Sequence, residues 1–243
     1  MKGVVLAGGF GTRLLPLTKV TNKHLLPVYD KPLIYYPIQT LVNAGIREVM
    51  VVTGGSNPGD FLKLLGNGKD FDLKELNYAY QEGAGGIAEA LGLAEDFSDG
   101  EKIIVILGDN IIEKNIIKAK QDFEKQARGA KIMLKEVPEP QHFGVPELNG
   151  KQVLRIEEKP KKPKSKYAVI GIYMYDNQVF DIIRTLERSD RGEMEITDVN
   201  NRYIEQGTMT WEKLDGWWID AGSSHEHLYK ATQLVVETGA NKV

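Results

Sequence analysis

The sequence has 243 residues, 42% hydrophobic and 27% charged, enough to bury a sizeable core in one large α/β domain or two small ones. A net charge of −3 supplies no basic field for non-specific nucleic-acid binding, and the absence of cysteine excludes disulfides, thiol catalysis and thiolate zinc sites. No apolar run approaches a membrane span and the first residues enter a strand at once, so neither nucleic acid nor a membrane is expected as a partner, and the cytoplasm is the expected location.

The chain opens on Val4-Val5-Leu6-Ala7, a short apolar run that reads as a strand covered on both faces. Gly8, Gly9 and Gly11 follow, where the backbone can turn sharply and present bare N–H groups, and Arg13 supplies a planar fork suited to phosphate. This is an anion cradle of neither familiar kind. A Walker loop needs Gly-x4-Gly-Lys-Ser/Thr, which is absent, and a dinucleotide fingerprint needs a small residue where Leu14 stands and an acid ending the second strand. Nicotinamide binding is therefore only a runner-up.

From Leu14 to Pro27 a long connection carries Lys23. A helix is expected over Leu33–Ala44, closed by Gly45, then a strand over Val49–Val52. Asn57 is expected to cap a short helix that begins at Pro58 and ends before Gly66. Alternation of Leu76, Tyr78 and Tyr80 predicts a strand leading into Gln81 and a glycine loop, with a helix over Ile87–Glu95. Ile103–Leu107 is the most apolar strand and ends in Gly108-Asp109-Asn110; a helix over Asn115–Ala127 and a strand over Ile132–Val137 follow. Such alternation predicts a three-layer αβα, Rossmann-like, mostly parallel sheet.

After residue 138 the pattern becomes β-rich. Asn149-Gly150 between two apolar runs predicts a hairpin, and a Lys/Pro-rich stretch to Lys166 precedes a strand over Tyr167–Tyr175. Helices are expected over Gln178–Leu186 and Ile196–Ile204, strands over Thr208–Leu214 and Gly216–Ile219, and a last helix behind a Ser223/Glu226 capping box. Without an internal linker, the expectation is one domain over 1–243 with a small β-rich insertion, its first half about 1–137 and its second about 138–243.

Asp109 and Asp220 each follow an apolar strand, where the ligand crevice of an open α/β sheet lies. Either alone could be a turn or cap residue; two of them shift the balance toward a metal. Oxygen donors, few in number, suit Mg²⁺, which completes its shell with waters and phosphates and so implies a nucleotide.

The run Leu6-Ala7-Gly8-Gly9-Phe10-Gly11-Thr12-Arg13-Leu14, with Lys23 before His24-Leu25-Leu26-Pro27, resembles the signature of sugar-1-phosphate nucleotidylyltransferases. Tyr29–Pro37, Leu107–Asn110, Phe143-Gly144-Val145, Glu157–Pro160 and Gly192–Asn200 are similar to the thymidylyl-transferring members of that family. The resemblance spans essentially the whole chain. It implies an enzyme that joins dTTP and glucose 1-phosphate and releases pyrophosphate, working as a homo-oligomer. By the same resemblance, Leu6, Gly8, Gly9, Gly11 and Thr12 cradle the nucleotide, Arg13 holds the leaving triphosphate tail, and Lys23 the α-phosphate region. Mg²⁺ would lie on Asp109 and Asp220, with Gln81 and the backbone of Gly86 reading the base. On the sugar side it implies Asn110, Gly144, Glu158, Val169 and Tyr173, Lys159 at the sugar phosphate, and Trp218 and Arg191 alongside.

His24 stands where that family commonly has glutamine, and Glu82-Gly83-Ala84 replaces its proline-bearing turn, so base preference is open to change. The methyl that separates thymine from uracil is worth about 0.8 kcal/mol, which keeps a UTP-preferring enzyme as the alternative. A non-catalytic nucleotide-sugar sensor is the alternative of another class. Longer members continue into C-terminal helices that help build a regulatory nucleotide site, whereas this sequence ends at Val243, so feedback inhibition at such a site is left open by the sequence.

Overall fold

The computed structural model describes residues 1–55 and 57–243; Ser56, in the Gly54–Pro58 run that lacks the pattern of a serine-hydrolase elbow, lies outside the described residues. In chain order the first half runs β1 (Lys2–Ala7), β2 (Pro27–Val28), β3 (Lys31–Pro32), α1 (Tyr35–Asn43), β4 (Glu48–Gly54), α2 (Gly59–Leu65), β5 (Glu75–Gln81), α3 (Ile87–Gly92), α4 (Glu95–Ser98), β6 (Ile103–Leu107), β7 (Asn110–Ile112), α5 (Ile117–Lys125) and β8 (Ala130–Glu136). The rest is β9 (Gly144–Asn149), β10 (Gln152–Glu158), β11 (Tyr167–Tyr175), α6 (Gln178–Arg184), α7 (Ile196–Glu205), β12 (Met209–Lys213), β13 (Trp218–Asp220) and α8 (His225–Thr238).

Among the described residues nine strands form the main sheet, with β10-β9-β11-β6-β1-β4-β5 in order and β8 and β12 branching from β11. Its parallel character is confined to β6-β1-β4-β5 and to the β8–β12 pair. β11 runs antiparallel to β6, β8 and β9, so the α/β class and β-rich second half are as expected while the sheet is mixed. Strand direction is set by which end the preceding connection enters from, and that is a tertiary property.

Both sheet faces are covered because the apolar strands have no polar side to show to water. Val4, Leu6, Met50, Val52, Ile103 and Val105 pack on one face with residues of α3, α6 and α7. Their alternates Val5, Ala7, Val49, Val51, Ile104 and Ile106 pack on the other with α1, α2 and α5. A third cluster joins Val28, Leu33, Tyr36, Ile111 and Ile219 to Ala231 of α8. It seats the small β7–β13 pair against the end of the sheet.

Two caps differ from expectation. Asn57 adopts a left-handed φ of 63° and spends its amide on Val20 O instead of capping α2. α8 is capped by Ser224, whose Oγ accepts from His227 N, because Ser223 Oγ donates to Asp220 O. The helix expected over Ile87–Glu95 is two, α3 and α4. Among the described residues no helix is long and apolar enough to cross a membrane.

Candidate active site

The site forms where β1 and β6 end. Gly108 N donates to Leu6 O at 2.8 Å, which aligns the two strand ends and sets Asp109 beside the glycine loop. The β7–β13 ladder puts Asp220 opposite Asn110, and Ala221 N donates to Asp109 O at 2.9 Å, so the two acids meet. The approach is so close that a Cβ on Gly222 would lie 2.4 Å from Asp109 Oδ2.

The glycine loop wraps one side of the site. Gly11, at φ 61°, starts a single 3₁₀ turn over Thr12–Leu14. Leu14, the residue that breaks the dinucleotide fingerprint, is fully buried and anchors that turn, leaving Arg13 and Thr12 exposed. Gln81 Oε1 lies 3.0 Å from where a Cβ on Gly8 would stand. Gly9 and Gly11 both take positive φ, which non-glycine residues rarely adopt.

Lys23 begins another 3₁₀ turn, capped by Asn22 Oδ1, which accepts from His24 N at 3.0 Å while Asn22 Nδ2 donates to Gly54 O at 3.1 Å. Lys23 Nζ reaches Asp109 Oδ2 at 2.5 Å. Burial would lower the Lys23 ammonium, but the charges of Asp109 and Asp220 outweigh it and the net shift is upward. Burial alone would raise Asp109; Lys23, then the charge of His24 when protonated, hold it well below the usual carboxylate range. Asp220 is pushed up to about 7, by burial first and by the charge of Asp109 second. His24 is driven down to about 3 by burial and then by Lys23, so it is neutral at pH 7. It faces the interior, with Nδ1 2.7 Å from Asn22 Oδ1.

Beside the glycine loop a cleft is lined by Arg13, Asn110, Gly144, Glu158, Lys159 and Val169, and also by Tyr173, Arg191, Trp218 and Asp220. Residues as far apart in the chain as Asn110 and Asp220 are thus brought to one wall. Gly144 pairs with Val169 across β9 and β11. Tyr173 is buried and stacks on Tyr175 at 6.0 Å, and among the described residues its hydroxyl has no hydrogen-bond partner. Burial, followed by the charges of Glu158 and Asp109, keeps that hydroxyl protonated well beyond neutral pH.

Several expected residues carry protein contacts that the sequence does not reveal. Asn110 Oδ1 accepts from Trp218 Nε1 at 2.6 Å and from Gly171 N at 3.1 Å. Arg191 is held in two-point contact by Glu195, at 3.1 Å from Nε to Oε1 and 2.7 Å from Nη2 to Oε2. Glu158 Oε2 accepts from Thr197 Oγ1 at 2.7 Å, and Lys159 sits at φ 45° with its N donating to Phe143 O at 3.0 Å. Asn22 and Gly222 belong to the site without having been singled out, and Phe143 and Thr197 were named only within longer motifs, with no role given to them. Gly222 was within reach, since Asp220-Ala221-Gly222 is a strand-end acid followed by glycine. Gln81 and Gly86 stand together on the far side of the glycine loop, joined by Gln81 Nε2 donating to Gly86 O at 3.1 Å.

A glycine cradle, a buried acid pair salted by one lysine, and a polar cleft beside them fit a site for two phosphorylated ligands. The family model for nucleotidyl transferases matches residues 2–238. The chain belongs to the nucleotidyl transferase family. Within it the chain falls among the glucose-1-phosphate thymidylyltransferases. It is 42% identical over 239 residues to the glucose-1-phosphate thymidylyltransferase of Neisseria meningitidis, covering 97% of this chain and 82% of the relative. To that of Mycolicibacterium smegmatis it is 46% identical over 228 residues, covering 92% and 78%. A Bacillus anthracis protein assigned as a glucose-1-phosphate thymidylyltransferase, solved in complex with sucrose, superposes with a TM-score of 0.93 at 48% identity, covering 98% and 96%. A UDP-glucose pyrophosphorylase with bound UDP-glucose, 24% identical with a TM-score of 0.83 over 97% and 98%, shares the fold.

Proposed function

We propose that this nucleotidyl transferase joins dTTP to glucose 1-phosphate, giving dTDP-glucose and pyrophosphate, with the nucleotide on the half formed by residues 1–137 and the sugar phosphate on residues 138–243. The observation that carries this reading is the meeting of Lys23, Asp109 and Asp220 between the glycine loop and the polar cleft. A nucleoside triphosphate and a sugar phosphate bring about six negative charges together, and two like charges at 4 Å repel by about 4 kcal/mol at an effective dielectric near 20. Fixed cations must offset that. Arg13 takes the triphosphate tail that leaves, Lys23 the α-phosphate, and Lys159 with Arg191 the sugar phosphate.

The base lies against Gln81 and Gly86, which offer a carboxamide and a backbone N–H that meets no protein acceptor among the described residues. Tyr173, Glu158, Asn110, Val169 and the backbone of Gly144 hold the sugar, with Trp218 forming its wall. A sugar-phosphate oxygen attacks the α-phosphorus in line and pyrophosphate departs. The nucleophile is already anionic, so no side chain has to remove a proton, and positioning and charge stabilisation supply the rate.

Among the described residues no group of three or more metal-ligating side chains is assembled. Asp109 and Asp220 nonetheless fit a Mg²⁺ ion: they offer oxygen donors only, and the burial and, second to it, the charge of Asp109 that push Asp220 up to about 7 are what a divalent cation would offset. Bound there, the ion would neutralise phosphate oxygens.

The test is pyrophosphate release with glucose 1-phosphate and, in turn, dTTP, UTP, CTP, ATP and GTP. Fastest release with dTTP, requiring both substrates, is expected. Comparable release without the sugar phosphate would refute the proposal, faster release with UTP would make the enzyme a uridylyltransferase, and tight product binding without turnover would make it a sensor.

A further inference from the structure

The Gln81 carboxamide is gripped from one end. Its Nε2 donates to Gly86 O at 3.1 Å and to Glu89 Oε1 at 3.0 Å, and the residue is buried. Both partners can only accept, so the NH₂ group must occupy that end and the amide oxygen the other. The oxygen faces the glycine loop, 3.0 Å from a Cβ position on Gly8, and among the described residues no donor reaches it.

Glu89 is itself held. Its second carboxylate oxygen contacts Arg188 Nη2, and Arg188 Nη1 donates to Gly192 O at 2.9 Å. The segment that carries Arg188 is tied to the loop of Gly85 and Gly86 by backbone bonds, Met194 N to Gly85 O at 2.8 Å and Ala88 N to Met194 O at 3.2 Å. A Cβ at Gly86 would lie 2.5 Å from Met194 O, so the two backbones are packed closely at this contact. Hydrogen bonding to Gln81, and then Arg188, lower the Glu89 carboxyl, so it remains an acceptor at neutral pH.

We propose that Glu89, clamped by Arg188, is a positioning residue that locks the Gln81 amide oxygen toward the base and thereby restricts the nucleotide to bases with an N–H donor at that point. The proposal rests on the reading of Gln81 as the side chain that meets the base. Thymine and uracil carry N–H at ring nitrogen 3. Cytosine carries a lone pair there, which would face the amide oxygen. A free glutamine could turn over and offer its NH₂ to cytosine; here the turn would drive the oxygen against the Glu89 carboxylate and the Gly86 carbonyl. Discrimination between keto and amino pyrimidines therefore resides in Glu89 as much as in Gln81.

The experiment compares kcat/KM for dTTP and dCTP at saturating glucose 1-phosphate in the wild type, Glu89→Ala, Glu89→Gln and Arg188→Ala. The wild type should favour dTTP by about a hundredfold or more, since a site built for a donor rejects an analogue lacking it. Glu89→Ala should narrow that ratio by about tenfold, with dCTP gaining in absolute terms, as the mismatch is no longer enforced. Glu89→Gln, which keeps an accepting oxygen on a group able to turn, and Arg188→Ala should fall between. KM for glucose 1-phosphate and the melting temperature should stay put. An unchanged ratio, or equal losses for both nucleotides, would overturn the proposal and leave Glu89 a support for the loop. Should the wild type fail to turn over dTTP, the proposed reaction falls, and the Glu89 assignment is decided separately by equilibrium binding of dTTP against dCTP to the wild type and Glu89→Ala, an unchanged ratio refuting it.

Discussion

Lys23 and Asp109, 86 residues apart in the chain, are joined by a 2.5 Å contact between Nζ and Oδ2 inside the protein. The ammonium is therefore already anchored on the acid at the end of β6, and the glycine loop closes around it, with Lys23 Cβ 3.2 Å from a Cβ position on Gly11. Positive charge is fixed at the loop before any phosphate arrives.

Removing one partner strands the other. Lys23→Met should cost about 3–5 kcal/mol in urea unfolding, because Asp109 is left buried and unpaired. Adding Asp109→Asn should restore most of that stability but no pyrophosphate release. A Lys23→Met protein as stable as wild type would contradict the pairing.

His24 gives the fold a dependence on pH. Its folded value of about 3, set by burial and then by Lys23, lies below the ordinary 6.5. Unfolding therefore takes up a proton between those values, and stability is full above pH 6.5 and is lost as the pH falls toward 3. The slope is about 1.4 kcal/mol per unit, or about 2 kcal/mol between pH 6.5 and pH 5. Denaturation curves of His24→Gln should lack this component; an unaltered slope would show that His24 is not its source.

Gly222 is required by contact. In Gly222→Ala the new methyl would fall 2.4 Å from Asp109 Oδ2 and 2.9 Å from Asp109 Cβ, forcing the carboxylate to move. Overpacking should destabilise the protein by about 1–3 kcal/mol. Turnover should fall by about tenfold or more, since misplaced catalytic groups lose rate steeply. Wild-type kinetics in Gly222→Ala would show that the Asp109 carboxylate need not be held where it is.

Tyr173 separates binding from folding. Its hydroxyl has no protein partner among the described residues, so Tyr173→Phe should leave unfolding free energy within about 0.5 kcal/mol of wild type. KM for glucose 1-phosphate should rise several-fold, about the worth of one hydrogen bond, while KM for dTTP holds. Equal changes in both constants would place the hydroxyl elsewhere.

Much of this was legible in the residues, and the parts that were not share a cause. Ile103–Leu107 and Tyr167–Tyr175 form strands over the expected residues because long apolar runs need burial on both faces whatever surrounds them. The direction of β11 depends on how the chain returns through the Lys/Pro-rich stretch, and no local pattern records that. Asp109 and Asp220 could be read as site acids because each follows a strand; their proximity needs the β7–β13 ladder, which two three-residue strands scarcely announce. Ser224 displaces Ser223 as the α8 cap because Ser223 bonds back to Asp220 O, a choice between adjacent serines that composition cannot make. Glu89 and Arg188 lie 99 residues apart, and their grip on Gln81 is visible only once the chain is folded.

The central claim is that Asp109 and Asp220 together organise phosphate chemistry at the mouth of the sheet. Its most direct test is pyrophosphate release by Asp109→Asn and Asp220→Asn with dTTP, glucose 1-phosphate and Mg²⁺, alongside their unfolding curves. Both variants should stay folded, Asp109→Asn with the reduced stability that a stranded Lys23 brings, and lose turnover by about a thousandfold, the scale expected when a group that stabilises transition-state charge is removed. Turnover within about threefold of wild type in either folded variant, less than the worth of one net hydrogen bond, would contradict the claim.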